Sequence, residues 1–183
     1  QADRYGADGT WICEPAATVM VFPGSSLQDE GSGWVGVNAG ESLQSVFQVG
    51  AVATAVMLVR RQFPAAEPNL RPWRDDPQTR RWSEPESLDL AFHFPGWSPR
   101  LECRSLLLQL RVRQDSPDAR MQLLGVLMRG MTYDGERWRL ATIGDWRPEG
   151  AHLPQEKQVE QLRLICRELF ELFGGSAASD TAA

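Results

Sequence analysis

Along the second half of the chain, apolar and polar positions alternate with few interruptions. Leu88, Leu90, Phe92 and Phe94 fall on one side of an extended segment, with Asp89, Ala91 and His93 on the other. This period-two pattern predicts a strand with one face buried. Leu106, Leu108, Leu110 and Val112 repeat it. Residues 121–133 form another long apolar run, and Trp138, Leu140 and Thr142 alternate in a segment that returns after Asp134-Gly135. Asp-Gly favours a two-residue type I′ hairpin turn, which needs positive φ at both central positions. Four consecutive antiparallel strands are predicted, over 88–94, 101–112, 121–133 and 138–145.

The period then changes. Val159, Leu162, Ile165, Cys166, Leu169, Phe170, Leu172 and Phe173 fall on one broad face at helical spacing, with Glu160, Arg163, Arg167, Glu168 and Glu171 opposite. Pro154 before this segment and Gly174 after it predict a helix over about 154–173. A second helix is expected over about 40–62. It would start at the capping-box-like Asn38-Ala39-Gly40-Glu41 and end at Arg60-Arg61, which suit the carboxyl end of a helix dipole. The Val and Thr content of 42–62 also permits a buried strand, but length favours the helix. Nearer the start, Thr18-Val19-Met20-Val21-Phe22 and Trp34-Val35-Gly36-Val37 read as two short strands at a sheet edge.

These elements give an α+β fold: a mainly antiparallel sheet of about six strands, four of them in a C-terminal meander, packed with two helices. The expected organisation is a single domain over 11–175 with flexible ends at 1–10 and 176–183. Residues 64–85 interrupt the pattern with Pro64, Pro68, Pro72, Pro77 and Pro85. Repeated proline predicts a long loop there.

Composition narrows the class. Of 183 residues, 42% are hydrophobic and 23% charged, as in ordinary globular proteins. A net charge of −5 disfavours broad attraction to nucleic acid or anionic lipid. No run approaches the ~20 apolar residues of a membrane-spanning helix. Cys13, Cys103 and Cys166 are isolated and odd in number, which fits a reducing compartment and a cytoplasmic location. Cys103 and Cys166 sit where small apolar side chains would pack.

Candidate chemistry concentrates in the segment from Leu88 to Arg104. His93 shares a face with Asp89, and a turn over 95–99 would place Glu102 or Arg104 across from one of them. A histidine beside a carboxylate is a possible general base, although no serine or cysteine nucleophile in a recognisable context accompanies it. Asp89 followed by Glu102-Cys103-Arg104 loosely resembles the metal-dependent nucleases of the PD-(D/E)xK type, and that resemblance implies a carboxylate-held metal. It covers some twenty residues and departs from the pattern twice: Arg104 stands in place of lysine, and no Pro-Asp precedes the strand. Arginine stays protonated and cannot manage a proton as lysine can. An ordinary ion pair of Glu102 with a neighbouring strand is the plainer expectation. The loop around Gly24-Ser25-Ser26 and Gly31-Ser32-Gly33 lacks a phosphate-binding motif. No metal-ligand spacing occurs, so no cofactor and no metal are expected.

A second set lies in the proline-marked loop and the following turn: Arg71, Trp73, Arg74, Arg80, Arg81, Trp82, Trp97 and Arg100. Tryptophan and arginine are the residue types that dominate protein–protein hot spots. The sequence therefore favours a non-enzymatic accessory or adaptor protein that binds another protein through these residues. The alternative is a small-molecule-binding domain or a hydrolase- or nuclease-like enzyme centred on Asp89, His93, Glu102 and Arg104.

Overall fold

The computed structural model describes residues 38–43, 46–72, 87–116 and 119–174. Its centre is one six-stranded antiparallel sheet: β1 (Glu67–Asn69), β2 (Ser87–Ser98), β3 (Cys103–Arg113), β4 (Gln122–Thr132), β5 (Gly135–Ala141) and β6 (Pro148–Gly150). Each strand pairs with its neighbour in sequence, in the order β1 to β6. The described helices are a short α1 (Ala39–Ser42), α2 (Val46–Gln62) and α3 (Glu156–Phe173). The α+β class and the antiparallel meander are as the sequence predicts.

The alternating strands fold as they do because one face is paid for by helix burial. Leu88, Leu90 and Phe92 of β2, Leu106, Leu108 and Leu110 of β3, Val126 and Met128 of β4, and Trp138 and Leu140 of β5 join one core. Val52, Ala55 and Val59 of α2 complete it, with Val159, Leu162, Ile165, Cys166 and Leu169 of α3. Burying one such aliphatic side chain contributes about 1.5–3 kcal/mol, so this shared interior fixes the strand register. On the other face of the sheet, Ala91, Leu107 and Met131 form a smaller buried cluster beside buried Asp89 and Ser105.

Several boundaries differ from expectation. The sheet does reach six strands, but two of them are β1 and β6. The expected strands over 18–22 and 34–37 lie outside the described residues. β1 falls inside the region expected to be a loop. Pro68 is tolerated there because a strand with only one neighbour has an N–H side that needs no partner. The helix expected over 40–62 is interrupted: α1 ends at Leu43 in extended backbone before α2 begins at Val46. Asn38, the expected cap, makes no side-chain capping bond and instead forms a parallel bridge with Asp89.

α3 starts two residues after Pro154, with Gln155 as N-cap, and ends as expected at Gly174. Gly174 takes the left-handed conformation (φ 61°, ψ 23°) and its N–H reaches the Glu171 and Phe170 carbonyls. The Asp134-Gly135 turn is not type I′. Among the described residues only Glu102 and Trp146 have positive φ without being glycine, so Asp134 does not, whereas Gly135 does at 106°. The chain turns over Tyr133-Asp134, with Gly135 paired to Thr132, and the register shift falls beyond it, where Arg137 is passed over between Glu136 and Trp138. The Thr132 hydroxyl closes the turn, accepting the Asp134 N–H at 3.1 Å and donating to the Gly135 carbonyl at 3.3 Å.

Candidate functional site

The β2–β3 hairpin holds the sequence-predicted chemistry. Its turn lies further along than expected. β2 continues through Pro95 and Gly96 to Ser98, which pairs with Cys103, and the chain reverses over residues 99–102. Glu102 completes the reversal in a left-handed conformation at φ 53°. A register shift between His93 and Ser98 absorbs the extra length.

This register separates the residues expected to meet. Gln109, not Glu102, stands opposite Asp89, and Ser105, not Arg104, stands opposite His93. From Glu102 to Gln109 the chain advances along β3 by roughly 23 Å at the usual rise of a strand. Asp89 and Glu102 therefore do not share a metal ion or a proton. The nuclease-like arrangement is not assembled.

Each candidate instead has a local partner. Asp89, almost fully buried, accepts from the Ser87 hydroxyl (2.7 Å) and from Gln109 Nε2 (3.0 Å). Around His93 the hydrogen bonds fix a tautomer. Asn69 Oδ1 accepts the Arg71 backbone N–H at 2.9 Å, which turns Asn69 Nδ2 toward His93 Nε2 at 3.3 Å. An amide nitrogen only donates, so Nε2 accepts and the ring proton sits on Nδ1, facing the Ser105 hydroxyl at 2.8 Å. Burial lowers the His93 pKa below 6.5, opposed by the charge of Glu67. The ring is thus held neutral and donates to Ser105, the reverse of the polarity by which a histidine base takes a serine proton. Ser105 is itself buried. The sequence reading missed both Ser105 and Asn69. Moving the turn to 99–102 would by itself set Leu108 opposite His93; Ser105 stands there because the register shifts between His93 and Ser98, and Asn69 needed the unexpected strand β1.

The tip of the hairpin gathers a different set. Trp97 is 43% exposed, and the Arg137 guanidinium lies over its ring at 5.2 Å from the centroid. Arg137 Nη2 also binds Glu102 Oε2 at 3.0 Å, the ion pair that the sequence favoured for Glu102. Such an arrangement adds a cation–π attraction of about 0.5–1 kcal/mol at an exposed site and biases the indole toward this orientation. The tip is anchored on two further sides. Leu101, buried, accepts Trp138 Nε1–H through its carbonyl at 2.5 Å, and the Arg100 carbonyl accepts the Gln155 N–H at 2.9 Å, just ahead of α3. Arg100 is exposed. Arg104 lies apart from this cluster, its guanidinium 4.5 Å from the Tyr133 ring centroid.

Of the expected partner-binding set, the structure places Arg71, Trp97 and Arg100. Trp73, Arg74, Arg80, Arg81 and Trp82 lie outside the described residues. Arg71 is exposed, and β1 joins the hairpin along residues 91–93. Arg137 is the residue of the tip that sequence reasoning missed: it stands in a strand of alternating charges with nothing local to mark it. Among the described residues no group of three or more His, Cys, Asp or Glu could hold a metal ion. No described helix is long and apolar enough to cross a membrane. Cys103 and Cys166 are buried free thiols, as expected, whereas Cys13 lies outside the described residues.

A family model described as a domain of unknown function matches residues 40–175, well over half of the chain. The chain belongs to that family. Its span runs from α1 to just past α3 and so takes in the whole sheet, the hairpin and its tip. No curated protein and no solved structure matches the chain.

Proposed function

We propose that this domain acts as a non-enzymatic accessory or adaptor module, with the β2–β3 tip as part of its protein-binding surface. The observation that carries this reading is Trp97, a large indole left 43% exposed with the Arg137 guanidinium over its ring, itself paired with Glu102. An aromatic that is already oriented loses little side-chain freedom when a partner covers it, which is how hot-spot residues contribute so much to affinity. Arg100, in the adjoining turn, adds an exposed cationic residue. The polar residues that favoured an enzyme support this reading in another way. Asp89, His93 and Ser105 hydrogen-bond within and between β2 and β3. A single domain in a cytoplasmic setting, with 64–85 contributing to the same surface, belongs to this proposal.

The test compares the parent chain with Trp97→Ala and Arg100→Ala in parallel affinity capture from the native organism. A protein held in near-stoichiometric amount by the parent, and lost from Trp97→Ala with the melting temperature unchanged, is the expected result. Equal capture by all three chains would remove the tip from the binding surface. A catalytic activity lost in a His93→Ala chain that still folds would favour the enzyme reading instead.

A further inference from the structure

Helix α2 carries apolar residues on both of its faces. Val52, Ala55 and Val59 face the core, while Val46, Val49, Gly50, Ala53 and Met57 are exposed on the other side. Val46 is 86% exposed, Val49 51% and Met57 69%. No charged residue occurs from Val46 to Val59, so this outer strip lacks the polar coat that a solvated helix face normally has.

Gly50 is the second anomaly. It lies inside a helix, where glycine is less favourable than alanine because it leaves the backbone more freedom to lose. A Cβ built at Gly50 meets no atom within 4 Å, so nothing among the described residues of this chain calls for its small size.

We infer that the outer face of α2 is a self-association surface, on which a second copy of this chain docks its own α2 antiparallel. The spacing carries the choice of occupant. Val46, Val49, Gly50 and Ala53 stand at i, i+3, i+4 and i+7, the four positions that frame a hole in knobs-into-holes packing, with Gly50 at its floor. The exposed knob available to fill it is Met57 of the same helix. A two-fold axis at Ala53 sets Met57 of each copy into the hole of the other, and Ala53 against Ala53 lets the backbones approach closely. One sequence thus supplies both halves of the contact in the self-complementary form that a two-fold interface requires. An uncharged strip meets its copy without like-charge repulsion. A helix of this length packed on its copy buries less than the roughly 800 Å² per partner of a standard interface, so the association is weak, with a dissociation constant on the order of micromolar to millimolar.

Sedimentation velocity on the full chain, over a concentration series crossing that range, tests the inference. The parent is expected to shift from monomer to dimer. Met57→Glu removes the knob, and Gly50→Leu fills the hole at a position with open space around it. Each should weaken the dimer by more than about tenfold with helical circular dichroism intact. Ala53→Cys should give a covalent dimer on mild oxidation, beyond any formed by the parent. A parent that stays monomeric throughout overturns the proposal, as does a dimer indifferent to both Met57→Glu and Gly50→Leu. A monomer that instead floats with anionic lipid vesicles through the same residues would also overturn it, because the face would then be a membrane contact.

Discussion

Adding one methyl group at Gly130 should do unusual damage for so small a change. Gly130 lies in β4 directly opposite Trp138. A Cβ at Gly130 would stand 2.2 Å from Trp138 Nε1 and 2.3 Å from Cε2, where non-bonded carbon contacts settle near ~3.5–4.0 Å. The indole is fully buried and cannot swing into solvent. It must shift by more than about 1 Å, and that shift breaks the 2.5 Å bond from Nε1 to the Leu101 carbonyl. Overpacking of this kind costs roughly 1–3 kcal/mol, and stranding a buried donor costs about 1–3 kcal/mol more. The total for Gly130→Ala is therefore about 2–6 kcal/mol. In a chain of this size that lowers the melting temperature by roughly 4–24 °C. Gly125→Ala is the matched control in the same strand, because its Cβ would meet only Thr142 Oγ1 at an ordinary 3.8 Å. It should be neutral or slightly stabilising. Thermal and urea unfolding of both variants measures the contrast. Because Leu101 lies in the turn tied to the start of α3, hydrogen exchange at the Gln155 amide should also accelerate in Gly130→Ala. Two variants melting within about 2 °C of each other would refute the close packing of Trp138 on Gly130.

Other consequences can be checked separately. Burial keeps the folded His93 pKa below its ordinary 6.5, so the unfolded chain takes up this proton first and stability falls as pH drops through that value. Melting curves at about pH 7.5 and about pH 5.5 should show a drop that shrinks in His93→Gln, and an unchanged drop would mean that other groups carry it. The Cys103 and Cys166 thiols, pushed up to about 12 chiefly by burial, should resist iodoacetamide at neutral pH in a Cys13→Ser chain and react once urea unfolds it. Asp89→Ala leaves Gln109 Nε2 without its carboxylate and should cost about 1–3 kcal/mol in urea titrations. Gly174→Ala forces a side chain into the left-handed cap of α3 and should cost roughly 1 kcal/mol, seen as a lower urea midpoint.

How much was legible in the sequence follows from how local each signal is. The alternation in 88–94 and 106–112 was sufficient because every second residue is strongly apolar and only one side of the sheet meets the helices. The α3 helix was legible for the same reason, with Gly174 marking its end. Short edge strands carry no such pattern: Glu-Pro-Asn in β1 and Pro-Glu-Gly in β6 become strands only because a longer neighbour offers them hydrogen bonds. The candidate site failed on register. A displaced turn and the register shift beside it exchange the cross-strand partners, so His93 bonds to Ser105 and Asn69 and faces Glu67 across β1, rather than meeting Glu102 or Arg104. Arg137 was invisible because its role depends on Trp97, far away in sequence and adjacent only after folding.

The proline in each outermost strand has a consequence for the behaviour of the protein in a crowded solution. An open sheet ends in unpaired N–H and C=O groups, which can template the addition of strands from other molecules. Among the described residues each outermost strand is only three residues long and includes a residue that cannot donate, Pro68 on one side and Pro148 on the other. A stacking chain would find too short a ladder to nucleate on. The long apolar strands β3 and β4, which would be aggregation hazards at an edge, lie paired on both sides, and the short outer strands beyond β2 and β5 are unattractive to a further one.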